Sequence, residues 1–591
     1  MRQFFKYFAA STLAILVTTG LVIVIFVGIV WAFSSDSKTD IKVKDDSILE
    51  LSLDFQLSET SYTDFNVNNL SLQSATGLDE FRSVINYAKT DDKIEGILLN
   101  LSSVGYSMAT LKEVRDVLND FKTSGKFIIT YSETLNQTAY YIASVSDEIY
   151  VYPEANVEFL GLSSELAFFK NAIDKLGVDV QIIRGSNNKF KSAVEPFMYE
   201  KMSPANRKQI ERFLNSLWSD MLTDISKSRD ISKSKLNQIA DSLWAVTPNN
   251  ALKHGLIDGI TYQDQLDSIL IEKTEVKEGK FNLISFNKYK KTLKPSITKS
   301  GRFKGNIAVI YAKGGIESGK GDYETIGSET LSKQIKDARE DESIKAVVLR
   351  INSPGGSALA SDVIWRELEL TKAKKPLIVS MGDLAASGGY YIACNADKIY
   401  AQPSTLTGSI GVFGIIPNVE NTFKEHLGIT FDVAKTNHHA MVTPFKPLTE
   451  EEKKYIQQEV DRIYDNFIGK VAEGRGLTKA QVDSIGQGRV WTGTDAIEIG
   501  LVDELGSLQD AINYAAEKAE IKTDDIKVTA FPKRKDNDLT EILTLLEEME
   551  GEEESMKQSI SQEFLTRAKE LDALTSLDRI QVRVPFDIKI K

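Results

Sequence analysis

The chain is 591 residues long, carries a formal net charge of −13, and contains one cysteine and four histidines. The acidic balance excludes a general nucleic-acid binder, which needs a basic excess to neutralise phosphates. The lone Cys394 excludes an internal disulfide and a thiolate metal cluster.

The first element is apolar. Residues 1–7 precede a run at 8–33, FAASTLAILVTTGLVIVIFVGIVWAF, that holds no charged side chain. At about 1.5 Å of rise per residue a helix of this length exceeds a hydrocarbon core of roughly 30 Å. Arg2 and Lys6 precede it, which predicts a cytoplasmic N-terminus. The run is too long for a signal-peptide core and no A-x-A site follows it. The expectation is an uncleaved single-pass anchor in membrane lipid, with the rest of the chain on the far side.

From residue 45 short apolar runs alternate with helical periodicities. ILELSLDF, EGILLNL and KFIITYS read as strands, and TLKEVRDVLNDFKTSG reads as a helix. Later NIAVIYA, KAVVLRI and PLIVSMG read as strands, and DVIWRELELTKAK as a helix. This alternation predicts an α/β architecture with largely parallel sheets. The second series repeats the first. QTAYYIA at 137–143 lies 250 positions before SGGYYIA at 387–393, and seven of fourteen positions match between 137–150 and 387–400. HGLIDG at 254–259 matches IGLVDE at 499–504 with the offset drifted to 245. Two homologous units are therefore expected, at 45–275 and 305–520. A lysine-rich linker is expected at 276–304, and a helical tail with a solvated glutamate face at 521–591.

The units differ where chemistry is expected. The second has NSPGGS at 352–357 directly after a strand, and the first has SSVGYS. Gly355 and Gly356 would let backbone N–H groups approach a ligand and hold a developing oxyanion. Ser387 follows a strand and opens a helix, so the Gly388 N–H can reach the same point. A serine nucleophile needs a base. Histidine is the usual choice. None of His254, His426, His438 and His439 sits in a triad phrase, although sequence leaves His438 and His439 open as bases; adjacent residues point apart in regular structure, so that pair is not expected to share a metal. Lysine can serve if burial keeps it neutral. Aligning KFKSAVEPF at 189–197 with HHAMVTPF at 438–445 places Lys191 over His439. The first unit thus has the lysine without the serine, and the second has the serine without the lysine. Cys394 reads as a packed helix residue.

SPGGS, SGGYYIA, TGSIGV at 407–412 and KSAVEPF at 191–197 together resemble the signal peptide peptidase A (protease IV) family, in its long, duplicated, membrane-anchored form. The resemblance implies a fold similar to the Clp protease and crotonase superfamily, with Ser387 as nucleophile and Lys191 as general base. It implies that Gly388, with Gly355 and Gly356, forms the oxyanion hole, and that Ser409 orients the lysine. It further implies a homotetramer at an inner membrane, with its catalytic part on the periplasmic side. The implied substrates are cleaved signal peptides and other unfolded apolar peptides, with no metal and no cofactor. Two other readings stay open on sequence: a crotonase-like acyl-CoA enzyme, and a non-catalytic membrane scaffold.

Overall fold

The apolar runs build two parallel sheets with one strand order. The computed structural model describes residues 18, 20, 42–66, 71–274, 276, 281–293, 306–322, 324–440, 442–532 and 580–583. The first sheet runs in the order Asn282–Ser285, Ser47–Leu51, Ile94–Asn100, Phe127–Leu135, Glu148–Val157, Gly259–Ile260. The second has eight strands: one path runs Val528–Phe531, Ile307–Lys313, Ala346–Ser353, Leu377–Ala386, Lys398–Ala401, Glu504–Leu505, and Leu377–Ala386 also pairs with Leu406–Gly408, which carries Val490–Thr492 antiparallel at its other edge. Every pairing along these two paths is parallel. Strands buried on both faces must be apolar throughout, which is why IAVIYA and AVVLRI carry little alternation. Helices cover the faces. Leu78–Thr90 buries Phe81, Val84, Ile85 and Ala88, one stripe at helical spacing.

Two boundaries move. In the stretch read as a linker, Asn282–Ser285 pairs with Ser47–Leu51, and the helix Phe286–Thr292 buries Phe286 and Tyr289. Lys288 and Lys291 are exposed, while Lys290 reaches the buried Glu80 at 3.1 Å, and aromatic residues three apart give the helix an apolar face. Likewise Val528–Phe531, within the stretch read as a helical tail, pairs with Ile307–Lys313 as the equivalent edge strand of the second sheet. Ile580–Arg583 is a further strand. The expected helix LTEILTLLEEMEGEEES lies outside the described residues, as does the anchor at 8–33 apart from positions 18 and 20. Among the described residues no helix is long and apolar enough to cross a membrane.

A third sheet ties the units together. Its order is Thr325–Gly327, Gly315–Glu317, Gly355–Ser357, Ile580–Arg583, Phe413–Asn418, Asp179–Arg184. Asp179–Arg184 comes from the first unit and runs antiparallel to Phe413–Asn418 of the second, with Arg184 opposite Phe413 and Asp179 opposite Asn418.

A buried ion cluster adds a second tie. Arg350, 1% exposed, reaches Glu59 at 2.8 Å and Glu113 at 2.5 Å, both from the first unit. Burial pushes the Glu59 carboxyl up and Arg350 opposes that push. Removing the cation would leave Glu59 buried with only the Asn352 amide beside it, and Glu113 with only Arg82 at 3.4 Å. We expect Arg350→Met to cost about 3–5 kcal/mol, and alanine at the exposed Lys333–Asp337 pair to cost at most about 1 kcal/mol. Urea unfolding of the two variants checks the contrast.

Candidate active site

Ser387 sits between the strand Leu377–Ala386 and the helix Gly388–Ala393. Its backbone turns sharply, with φ 56° and ψ −114°. Non-glycine residues rarely adopt this conformation, at a cost of order 1–3 kcal/mol. The sheet holds it there: Ser387 N–H donates to Gly408 O at 2.8 Å, and Ser387 O accepts from Tyr391 N–H at 2.8 Å. The next residue must be glycine. A Cβ on Gly388 would lie 2.7 Å from Ser361 Oγ and 3.1 Å from Gly355 Cα. As the first residue of its helix, Gly388 has an N–H without an intrahelical acceptor. The PGG loop lies beside it, with Gly356 N 3.2 Å from that same Cβ position. Gly355 N–H already donates to Ser353 Oγ at 3.1 Å.

Lys191 arrives from the other unit. The antiparallel ladder ends at Arg184, and the following loop is pinned to the second unit at each step. Ser186 N–H and Oγ–H both donate to Asp461 at 2.7 Å, and Asn188 Nδ2 donates to Val412 O. Phe190 N–H donates to Gln487 O at 2.8 Å. Gln209, buried on the helix Pro204–Arg229, donates to Phe190 O and Ser192 Oγ and accepts from Val490 N–H. Gly488, at φ +80°, lies so close behind that a Cβ there would be 2.4 Å from Lys191 Cβ.

The lysine Nζ lies 2.7 Å from Ser387 Oγ, 3.0 Å from Ser409 O and 3.0 Å from Ser409 Oγ. Lys191, Ser387 and Ser409 are each 0% exposed. Burial holds the Lys191 amine well below the ordinary lysine range, and no carboxylate offsets it. A neutral amine has two N–H groups and one lone pair. Here the carbonyl and hydroxyl of Ser409 can accept the two N–H groups, and the lone pair faces the Ser387 hydroxyl. All four groups come from one chain. The arrangement can take a proton from Ser387 and return it.

A model of peptidase family S49 matches residues 120–277 and 369–522, one stretch in each unit. The chain belongs to the S49 peptidase family. It is 36% identical over 540 residues to Protease 4 of Haemophilus influenzae, covering 87% of this chain and 86% of that one. It is 38% identical over 449 residues to Protease 4 of Salmonella typhi, covering 74% and 72%. Against the chloroplastic serine protease SPPA of Arabidopsis thaliana it is 32% identical over 492 residues, covering 81% and 70%. Among solved structures, a ClpP1 mutant from Listeria monocytogenes aligns at 18% identity over 34% of this chain and 93% of its own, with a TM-score of 0.24. That superposition is too loose to carry an argument. The chain is a serine-type protease.

The first unit of this S49 peptidase keeps a strand-to-helix turn at the equivalent place, without the strained residue. Gln137 stands where the second unit has Ser387, at the start of an ordinary helix capped by Asn136. Its Oε1 accepts from the N–H groups of Leu160 and Gly161, each at 2.8 Å, and its Nε2 donates to Gly161 O at 2.9 Å. Phe159, aligned with Ser409, packs edge-on against Tyr140. The histidines stay outside the pair. His438 and His439 have side chains 70% and 48% exposed and face Glu451 and Glu452. Their rings lie 4.6 Å apart in a turn, so the divergence expected of adjacent residues does not hold. His438, His439 and Glu451 present possible metal-ligand atoms within 4.8 Å of one another, all exposed. Cys394 is fully buried, and burial pushes its thiol up to about 12. Sequence inspection missed Gln209 and Gly488, because each touches Lys191 or its neighbours across a long loop and neither sits in a motif.

Ser409→Ala removes one acceptor of the amine, and we expect turnover to fall about 10- to 1,000-fold. Ser409→Asp adds a charge that favours the ammonium form, so its pH–rate profile moves to higher pH. Steady-state kinetics across pH separate the two variants. In a Gln137→Ser, Ser387→Ala double variant we expect no fluorophosphonate labelling at position 137. The serine there would lack both the strained turn and the PGG loop, and mass spectrometry of the labelled protein reads the result.

Proposed function

We propose that this protein is a membrane-anchored endopeptidase with a Ser387–Lys191 dyad that degrades cleaved signal peptides. The observation that carries the reading is the 2.7 Å contact between Lys191 Nζ and Ser387 Oγ in a buried site whose lysine has no carboxylate partner. Neutral Lys191 takes the Ser387 proton as Oγ attacks the peptide carbonyl. The N–H groups of Gly388 and Gly356 hold the oxyanion, and Ser409 keeps the amine aimed. The ammonium then protonates the leaving amine, and water activated by Lys191 releases the acyl group.

The setting fits the substrate class. Signal peptides are apolar and lie in the membrane, where the uncharged run at 8–33 would hold this chain by contact with lipid. The proposal includes an inner-membrane location with the dyad on the periplasmic side, and a homotetramer. S49 membership removes the basis for the acyl-CoA and scaffold readings.

The test is a peptidase assay on the full chain in detergent micelles with a fluorogenic signal peptide. We expect Ser387→Ala and Lys191→Ala to lower turnover at least about 1,000-fold while melting cooperatively. Retained turnover in Lys191→Ala would overturn the dyad. In the wild type, the rate should rise with pH through the lowered lysine pKa and level off below the ordinary 10.5. Stability has a matching sign. Between those two values the unfolded chain binds a proton that the folded chain does not. The wild type should therefore gain stability relative to Lys191→Met as pH rises toward 10.5, read from melting temperatures across pH.

A further inference from the structure

The helix Pro204–Arg229 docks on the second unit through one face. Gln209, Arg212, Ser216 and Asp220 recur at helical spacing along it. Each meets the segment from Val490 to Asp495. Gln209 Oε1 accepts from Val490 N–H at 3.3 Å, and Arg212 pairs with Asp495 at 2.9 Å. Ser216 Oγ lies 2.8 Å from Thr492 Oγ1, and Asp220 accepts from Thr494 Oγ1 at 2.9 Å. Of the four, Gln209 is the one that also bonds to the segment carrying Lys191. Its Nε2 donates to Phe190 O at 3.0 Å and to Ser192 Oγ at 2.8 Å, and lies 3.1 Å from Asn206 Oδ1. The residue is 1% exposed.

Lys191 belongs to neither a strand nor a helix. It precedes the short turn Ser192–Val194, with φ −73° and ψ 83°. No ladder fixes it, so its place depends on how its neighbours are held. An amide side chain offers two N–H donors and one carbonyl acceptor. In Gln209 both ends are used. The donor end grips the residue before Lys191 and the residue after it. The acceptor end grips the strand Val490–Thr492, which pairs with Leu406–Gly408 immediately before Ser409. One buried amide therefore joins the base segment to the strand that leads into the hydroxyl beside the base.

We propose that Gln209 is a positioning residue for the base, clamping Phe190 and Ser192 so that Lys191 stays in its buried place against Ser387 and Ser409. This rests on the Ser387–Lys191 reading. Without the clamp the segment loosens, water reaches the amine, and the amine holds its proton to higher pH. The charged groups around the segment are Lys189 and Arg489, each over the Phe190 ring, Glu195, which accepts from Ser203, and the Arg212–Asp495 pair. None of them sets the state of the amine, which burial alone holds low.

Three variants of the full chain test it. Gln209→Met keeps the length of the side chain and loses every hydrogen bond. Ser192→Ala loses one contact of the clamp. Ser216→Ala loses a bond to the same strand two helical turns on, without a bond to the base segment. For each, kcat, KM and the pH–rate profile are measured on a fluorogenic signal peptide, beside the melting temperature. We expect Gln209→Met to lower kcat roughly 10- to 100-fold with KM within about twofold, and to move the profile to higher pH. Ser192→Ala should move it the same way by less, and it carries the test if Gln209→Met does not fold. Ser216→Ala should keep the wild-type profile. If Gln209→Met keeps that profile too, whatever it loses in stability or turnover, the residue only packs, and the proposal fails while the dyad reading stands. An equal shift in Ser216→Ala would assign the effect to docking of the whole helix and overturn the proposal as well. Turnover retained in Lys191→Ala would end the dyad reading and the proposal with it.

Discussion

A lysine amine without a carboxylate partner imposes the demand on which the rest of the structure depends. In water such an amine holds its proton and cannot act as a base. Desolvation alone lowers Lys191, so the protein must surround it completely. One α/β unit exposes the C-terminal ends of its strands, where Ser387 sits. Closing that end takes a second body. The ladder between Asp179–Arg184 and Phe413–Asn418, the loop bonds that follow it, and the Arg350 cluster all hold the units together against the lysine. Electrostatics sets the requirement, and the tandem architecture meets it.

Duplication also explains why the two units differ at the same turn. Each unit has a strand-to-helix turn and a loop one strand earlier. In the first, Gln137 satisfies three polar partners on the loop at 160–161, and Phe159 supplies an apolar contact in place of a hydroxyl. The cavity that a nucleophile would need is spent on packing. That frees the Lys191 segment of the first unit from serving its own turn, and it crosses to the other unit instead. Two half-sites become one closed site and one structural joint.

The parts that were legible in the sequence are those written locally. Ser387 and Gly388 follow from a local motif, Ser409 from the family resemblance, and the two homologous α/β units from an offset of 250 positions. Lys191 needed the comparison of the two units, because an apolar phrase around one lysine among many carries little weight. The edge strands Asn282–Ser285 and Val528–Phe531 were missed because four-residue strands lack a readable period, and lysines on Phe286–Thr292 resemble a linker. Gln209 and Gly488 were beyond reach for a different reason. Their value lies in what the fold sets beside them, and nothing in their own neighbourhoods announces it.

Two of the three residues at the centre hold strained backbones. Ser387 has φ 56° and Ser409 φ 50°, both in the left-handed half of conformational space, where a side chain costs energy. Both are held by backbone bonds to neighbouring strands or loops: Ser387 N–H to Gly408 O, and Ser409 N–H to Arg489 O at 2.7 Å. The two restraints are in series, since Gly408 immediately precedes Ser409. A single three-residue strand, Leu406–Gly408, therefore fixes both hydroxyls relative to each other. It is itself fixed by Leu384–Ala386 on one edge and Val490–Thr492 on the other. The latter strand donates its Val490 N–H to Gln209 of the first unit. Strain at the two serines and placement of the lysine thus share one frame. A change anywhere along it shifts the two hydroxyls and the amine together, which is how a site with no ionic partner can keep three hydrogen-bond lengths within 2.7–3.0 Å.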